Sequence, residues 1–419
     1  FLFPREKKYL KYLIIILLSV SPIFIFYSRY YIQEVLLVSF AYSLVFICYK
    51  YFQSKKTNYI ILAGILTGLI FATKETSIIT FGSGITSILL LFLLNNNFRK
   101  KISISAIHIL LFLSSAIFVS ILFYSSFFSN YEGIVDSLKT FSNYFSKASK
   151  NSDHIQSWYY YIELLLYTNN DKILFSEIFL LLFAGIGVCF SFFNKNENQI
   201  FTLFRFLSIF SFLQFIIYSL ISYKTPWLAL NFWIGFLILA AFGITKTYSV
   251  FGGKIIRNFI SLFITLILLH NLWQAYEINF KYPYQPENPF TYSQATFDVV
   301  SLTKQITAVS EAVPDKENIL ISVVAPESDY WPLPWYFRKF NNVAWNYEVQ
   351  NSIYQFPIII TKPVYEEEIV NKLYRIPPPG QKNLYVPLFD EYLELRPGVE
   401  LRGYIQKDLL DIFNRSVVE

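Results

Sequence analysis

The run "YIILAGILTGLIFATKETSIITFGSGITSILLLFLL", Tyr59 to Leu94, decides how this chain is read. It is too long for one membrane crossing, which takes about 20 apolar residues. A single Lys-Glu pair, Lys74 and Glu75, interrupts it. Two spans joined by a turn at "ATKET" account for both facts.

Working outward, the same pattern recurs. The chain is 54% hydrophobic, 20% aromatic and 15% charged, with a mean hydropathy of +0.41. A soluble domain carries about 25% charged residues. Nine spans are expected, at about 9–27, 35–52, 58–73, 77–95, 103–127, 172–193, 201–222, 226–245 and 256–275. The net charge of +6 is read by location, because Lys and Arg mark cytoplasmic loops. It gives no nucleic-acid patch. Cys48 and Cys189 fall within apolar runs and build no disulfide framework. The sequence starts at Phe1 and holds no methionine, so further sequence upstream is expected.

The basic loops "REKK", "QSKK", "FRKK" and "KTYSVFGGKIIR" all fall on one side if the N-terminus is cytoplasmic. The other side then receives Tyr27–Glu34, Thr73–Thr76, residues 128–171, Tyr223–Leu228 and everything after Glu277. The segment 131–150 repeats apolar residues at helical spacing and reads as an interfacial helix. "SWYYYIELLLY", Ser157 to Tyr167, is too short to span and reads as a second interfacial or re-entrant piece, so outer interfacial helices are expected over about 131–168. From residue 278 prolines and charges rise. "ILISVVA" and "FPIIIT" read as buried strands, and 291–313 and 363–374 as helices. The expected architecture is therefore an α-helical polytopic membrane domain, 1–277, followed by an extracytoplasmic α/β domain, 278–419.

The residues that could carry chemistry gather on the outer side. Lys74 is either a turn residue facing water or a fixed cation for an anionic headgroup; lysine suits phosphate as a point charge. Arg29 and Glu34, in "YSRYYIQE", stand five apart and need not pair. Arg29 could hold phosphate, and Glu34 could accept a proton or a sugar hydroxyl. Otherwise they belong to an aromatic belt. Lys224 precedes Pro226 in "YKTPWL" and is either a third cation or an interfacial turn. Positive charge belongs on the inner side, so three outer cations ask for a reason. In "YWPLPWYFRKF", Trp335 and Arg338 form either a core corner or a wall against a sugar ring. His108, His154 and His270 have no metal spacing, and no metal site is expected.

Four stretches in this order, "SPIFIFYSRYYIQE", "GLIFATKETSII", "YKTPWLALNFWIGFLILAAFG" and "LPWYFR", resemble the polyprenyl- or dolichyl-phosphate-sugar-dependent glycosyltransferases of the GT-C superfamily. The resemblance is closest to their protein O-mannosyltransferase-like branch. It implies transfer of a sugar, mannose-like in that branch, from a polyprenyl-phosphate donor to a protein or lipid acceptor on the extracytoplasmic face of a bacterial or archaeal cytoplasmic membrane. No cofactor is implied beyond that donor. Lys74, Arg29 and Glu34 fall on the family's lysine, arginine and following acid, facing the lipid phosphate or sugar. The family's first span and Asp-Glu loop, which carries the base, have no counterpart here. Glu34 and Glu75 are the nearby substitutes. A lipid-linked-sugar flippase or transporter and a non-catalytic assembly protein are the alternatives. Transporters place charges at the midplane in repeated halves, a pattern this sequence does not have.

Overall fold

The structure, a computed structural model, describes residues 8–94, 104–137, 155–170, 172–193, 199–292, 294–380 and 382–418, together with Arg99 and Lys139. The chain divides into two compact units, Phe1–Pro283 and Tyr284–Glu419.

The first unit is helical. α1 (Lys8–Val20) and α2 (Pro22–Ser28) form one apolar pair, bent by 63°. Pro22 opens α2, where its missing N–H costs little, and it cannot continue α1. Buried Ser21 sits at the break and accepts from Trp233 Nε1 at 3.2 Å. Then come α3 (Gln33–Ser54), α4 (Thr57–Thr73), α5 (Ser77–Leu94) and α6 (Ala106–Tyr124). A short α7 (Tyr160–Leu166) leads into an antiparallel hairpin of β1 (Thr168–Asn170) and β2 (Ile173–Phe175). α8 (Ile178–Phe193), α9 (Gln199–Leu220), α10 (Leu230–Val250) and α11 (Lys254–Tyr276) complete the unit. A π-helical turn, Glu277–Lys281, extends α11.

Among the described residues, six helices are long and apolar enough to cross a membrane, or seven with the bent pair as one span. α4 and α8 are apolar but shorter. Each of the nine expected apolar segments contains a helix, but the one expected at 172–193 opens with β2 and turns helical only at Ile178, and length and composition do not establish nine crossings. Of the helix expected at 131–150, residues 132–137 are helical; residue 138 and residues 140–150 lie outside the described set.

α10 is the axis of this unit. Its apolar window is 89% buried, against 11% for α6 and for α11. Apolar side chains gain little from leaving lipid, so close backbone approach holds such helices together. Gly187 of α8 and Gly243 of α10 provide it. A Cβ on Gly187 would strike the Leu239 carbonyl, and one on Gly243 the Phe183 carbonyl.

The second unit is α/β. α12 (Phe297–Glu311) precedes a sheet of order β4-β3-β5-β8-β6, built from β3 (Ile321–Val324), β4 (Val343–Asn346), β5 (Ile358–Thr361), β6 (Tyr385–Pro387) and β8 (Val399–Gln406). β7 (Leu393–Arg396) pairs with β8 in an antiparallel hairpin. β3 runs parallel to both β4 and β5, and β8 antiparallel to β5. α13 (Leu333–Tyr336), α14 (Glu366–Arg375) and α15 (Lys407–Val418) are the remaining helices. β3 and β5 are buried along their whole length, as strands covered on both faces must be. On one face Ile321, Val323, Ile358 and Ile360 meet Val299, Leu302 and Ile306 of α12. On the other, Val324 and Ile359 meet Ile369 and Leu373 of α14.

Candidate active site

Glu34 lies in the first turn of α3, and Lys74 is the residue at which α4 stops. The two helices pack together, and Lys74 Nζ donates to Glu34 Oε1 in a short ion pair. Glu34 is 1% exposed, and the Lys74 side chain 18%. An unpaired carboxylate at that depth would be costly, so the pair fixes the ammonium. Glu75 is half-buried beside Tyr124, whose hydroxyl donates to the Phe71 carbonyl at 3.0 Å.

Arg29 is the residue at which α2 stops. Its Nη1 donates to the Asn279 carbonyl at 2.9 Å, and its guanidinium lies 4.9 Å from the Phe280 ring centre. Lys224 is 3% exposed and donates to the carbonyls of Gln156, at 3.0 Å, and Ile221, at 2.6 Å. Burial lowers the pKa of this ammonium.

The aromatic side chains link these neighbourhoods. The Tyr27 and Tyr30 rings lie 6.1 and 6.4 Å from Trp227. Tyr160, Tyr161 and Glu34 are electrostatic neighbours of Tyr27. Tyr161 Oη donates to the Thr225 carbonyl at 3.1 Å. The structure thus ties the segments around Arg29, Glu34–Lys74 and Lys224 into one end of the bundle, but each cation grips a different partner. The expected independence of Arg29 and Glu34 is what is seen; the pairing of Glu34 with Lys74 was not foreseen.

Buried oxygens without a protein partner occur on residues next to Lys74 and Lys224 in sequence and on the residue that holds Arg29. They are Thr76 Oγ1 and Ser77 Oγ next to Lys74, Thr225 Oγ1 next to Lys224, and Asn279 Oδ1 at the residue that holds Arg29. The sequence reading also missed Glu177. It stands just before α8, is 1% exposed, and neither carboxylate oxygen has a partner. Its polarity at the edge of an apolar run was the available signal. Native proteins leave few such groups unpaired unless water or a ligand satisfies them.

An apolar cavity of about 610 Å³ lies between α3, α5 and α9, and neither Arg29, Glu34, Lys74 nor Lys224 lines it. Its walls include Ala41, Ile88 and Phe210, and it extends to Phe52 and Gln199. Of its lining, Ala41 stands about two helical turns along α3 from Glu34, and Thr80 about one turn into α5. Trp335 and Arg338 belong to the second unit and are both exposed, with the Arg338 guanidinium 4.3 Å from the Trp335 ring centre. Among the described residues, no group of three His, Cys, Asp or Glu side chains could hold a metal ion.

The first unit is an apolar helical bundle with a bent first pair, and an α/β unit follows it in the chain. The family model for dolichyl-phosphate-mannose-protein mannosyltransferase matches residues 7–124. The crystal structure of ArnT from Cupriavidus metallidurans bound to undecaprenyl phosphate superposes with a TM-score of 0.55 at 9% identity, over 94% of this chain and 79% of that one. At that identity the likeness is one of fold. No curated protein matches the sequence. The family match is confined to residues 7–124, and the likeness to ArnT shows a shared fold.

Proposed function

We propose that this protein transfers a sugar, mannose in the first instance, from a polyprenyl-phosphate donor to a protein or lipid acceptor on the extracytoplasmic face of the membrane. The observation that carries the reading is the buried Lys74–Glu34 pair in a helical bundle that also holds an apolar cavity. A lipid-linked donor has the same two parts, a charged phosphate and a hydrocarbon tail. The family match over residues 7–124 includes both halves of that pair, and the ArnT structure that shares the fold holds undecaprenyl phosphate. Three outward cations and the C-terminal unit on the extracytoplasmic side remain the topology that the basic loops favour.

In this reading the donor tail lies in the α3–α5–α9 cavity, and the phosphate meets Lys74. Lysine has three donors; one goes to Glu34, which leaves two for phosphate oxygens. As the glycosidic bond breaks, negative charge grows on the phosphate. A cation held rigidly there stabilises the transition state more than the ground state. Arg29 and Lys224 add positive potential from the neighbouring segments. The unpartnered oxygens of Thr76, Ser77 and Thr225 suit a hydroxylated ligand. Glu34 is a positioning residue, since its carboxylate is already engaged. Glu75, half-buried one residue from Lys74, is then the acid in this chain best placed to take the acceptor proton.

The test is transfer from radiolabelled polyprenyl-phosphate mannose by protein reconstituted in nanodiscs. Activity in the parent and its loss in Lys74→Ala are expected. Donor binding that is indifferent to Lys74 would remove the pair from the site.

A further inference from the structure

We propose that the second unit binds a neutral saccharide at the carboxyl ends of β3, β4 and β5, with Asp329 at its centre and Tyr347 and Trp331 as stacking surfaces. The proposal does not depend on the transfer reaction.

The topology marks the place. From β3 the chain passes to β4 on one side, then returns to β5 on the other. Strand order reverses between β3 and β5, and open α/β sheets bind ligands outside the carboxyl ends of strands at such a point. The sequence fills this point with chemistry. Asp329 follows β3, Lys362 follows β5, and Arg396 ends β7. Asp329 Oδ2 accepts from Lys362 Nζ and Oδ1 from Arg396 Nη2, both in short ion pairs. Arg396 Nη1 also donates to the Trp331 carbonyl at 2.5 Å. Tyr365 Oη donates to the Tyr347 carbonyl at 2.7 Å, tying the loop after β4 to the one after β5.

The cluster keeps capacity to spare. A carboxylate has about four acceptor sites, an ammonium three donors and a guanidinium five. The contacts above use two, one and two of them, and the three side chains are 20–27% exposed. Mixed donors and acceptors in one place suit adjacent sugar hydroxyls. Rings supply the other half of such a site. Tyr347 lies nearly parallel to Tyr330, at 6.5 Å and 23°. Tyr347 and Trp331 are each 57% exposed, which is a large apolar area to leave in water.

A phosphate fits this point poorly. The turn after β3, Ala325-Pro326-Glu327-Ser328, contains no glycine, and its Glu327 takes the left-handed conformation at φ 52°. Phosphate-binding turns use glycine and open backbone N–H groups. Glu327 and Asp329 would oppose an anion there, whereas a carboxylate accepts readily from a hydroxyl.

The test is saturation-transfer NMR on the full chain in nanodiscs. The probes are the methyl glycosides of mannose, glucose, galactose and N-acetylglucosamine, their trisaccharides, and inorganic phosphate as competitor. At least one saccharide should bind saturably, with tenfold or greater weakening in Tyr347→Ala and in Trp331→Ala. Both substitutions are at exposed positions, so folding is kept. The stability-restored double variant Lys74→Met/Glu34→Leu should leave this binding unchanged. The proposal fails if no saccharide binds, if the Tyr347→Ala/Trp331→Ala double variant binds like the parent, if phosphate competes, or if Lys74→Met/Glu34→Leu, folded as the parent is, abolishes the signal.

Discussion

Two carboxylates in this molecule each hold basic side chains, and they do so under different conditions. Glu34 faces a single lysine and its side chain is 2% exposed. Asp329 takes a lysine and an arginine and is 27% exposed. The first is an ion pair with almost no water to fall back on. The second sits where solvent can replace any lost partner. Depth therefore decides what each pair does: burial makes the Lys74–Glu34 contact obligatory, and exposure leaves the Asp329 cluster open to exchange.

The largest effect follows from that contrast. Lys74→Ala strands Glu34 without a partner and should cost about 3 kcal/mol of stability, read by thermal unfolding in detergent. Transfer should fall at least 10²-fold, the scale of losing one preorganised charge at a developing oxyanion. The double variant Lys74→Met/Glu34→Leu should regain most of the stability, because an apolar pair of similar volume replaces a buried ion pair at little cost. It should regain no transfer. Recovery of activity in that double variant would show that the pair is structural only.

Next in size is the close contact between α8 and α10. Gly243→Leu forces a side chain against the Phe183 carbonyl, and overpacking of this kind costs about 1–3 kcal/mol or more. The same change at Gly82, where a Cβ meets nothing within 4 Å, should be tolerated. Equal effects at both positions would mean that α8 and α10 do not meet as described.

These two predictions also mark what the sequence could and could not tell. Span positions follow from composition, because an apolar run of sufficient length has few alternatives. β3 and β5 were legible for a similar reason, as short apolar runs bounded by prolines and charges. β8 was not: "VELRGYIQ" alternates buried and half-buried residues and carries two charges, and its burial depends on strands that the chain meets only after folding. The site was legible in part. Lys74, Arg29 and Lys224 stood out as cations where few belong. Their partners did not, because Asn279 and Gln156 lie 250 and 68 residues away in sequence. Glu34 was visible as an acid but not as the partner of Lys74, since spacing along one helix says nothing about the neighbouring helix.

Arg29→Ala comes third. Arg29 binds a backbone carbonyl and an aromatic face, so its loss leaves no buried charge unpaired. Stability should change by less than about 1 kcal/mol, while transfer falls about tenfold or more, in kcal terms about 1.4. Arg29→Lys should rescue poorly, because an ammonium cannot reproduce the planar contact. A large loss of stability would assign Arg29 to the fold and not to the donor.

The smallest effect is a pH dependence at Lys224. Burial lowers the pKa of this ammonium, so the folded state gives up its proton at a lower pH than the unfolded chain. Between those two values the unfolded state binds more protons, and stability rises with pH. The sign is opposite to that of a lysine that gains a carboxylate partner. The window opens on the acid side of the usual lysine range, near 10.5. Lys224→Met should abolish the rise, so the difference between parent and variant should shift in favour of the parent as pH climbs. Transfer should move the other way, weakening as the neutral amine forms, if Lys224 contributes charge to the donor phosphate. Stability that rises with pH while transfer stays flat would leave Lys224 as a structural donor to Gln156 and Ile221. It would also narrow the phosphate site to Lys74 and Arg29.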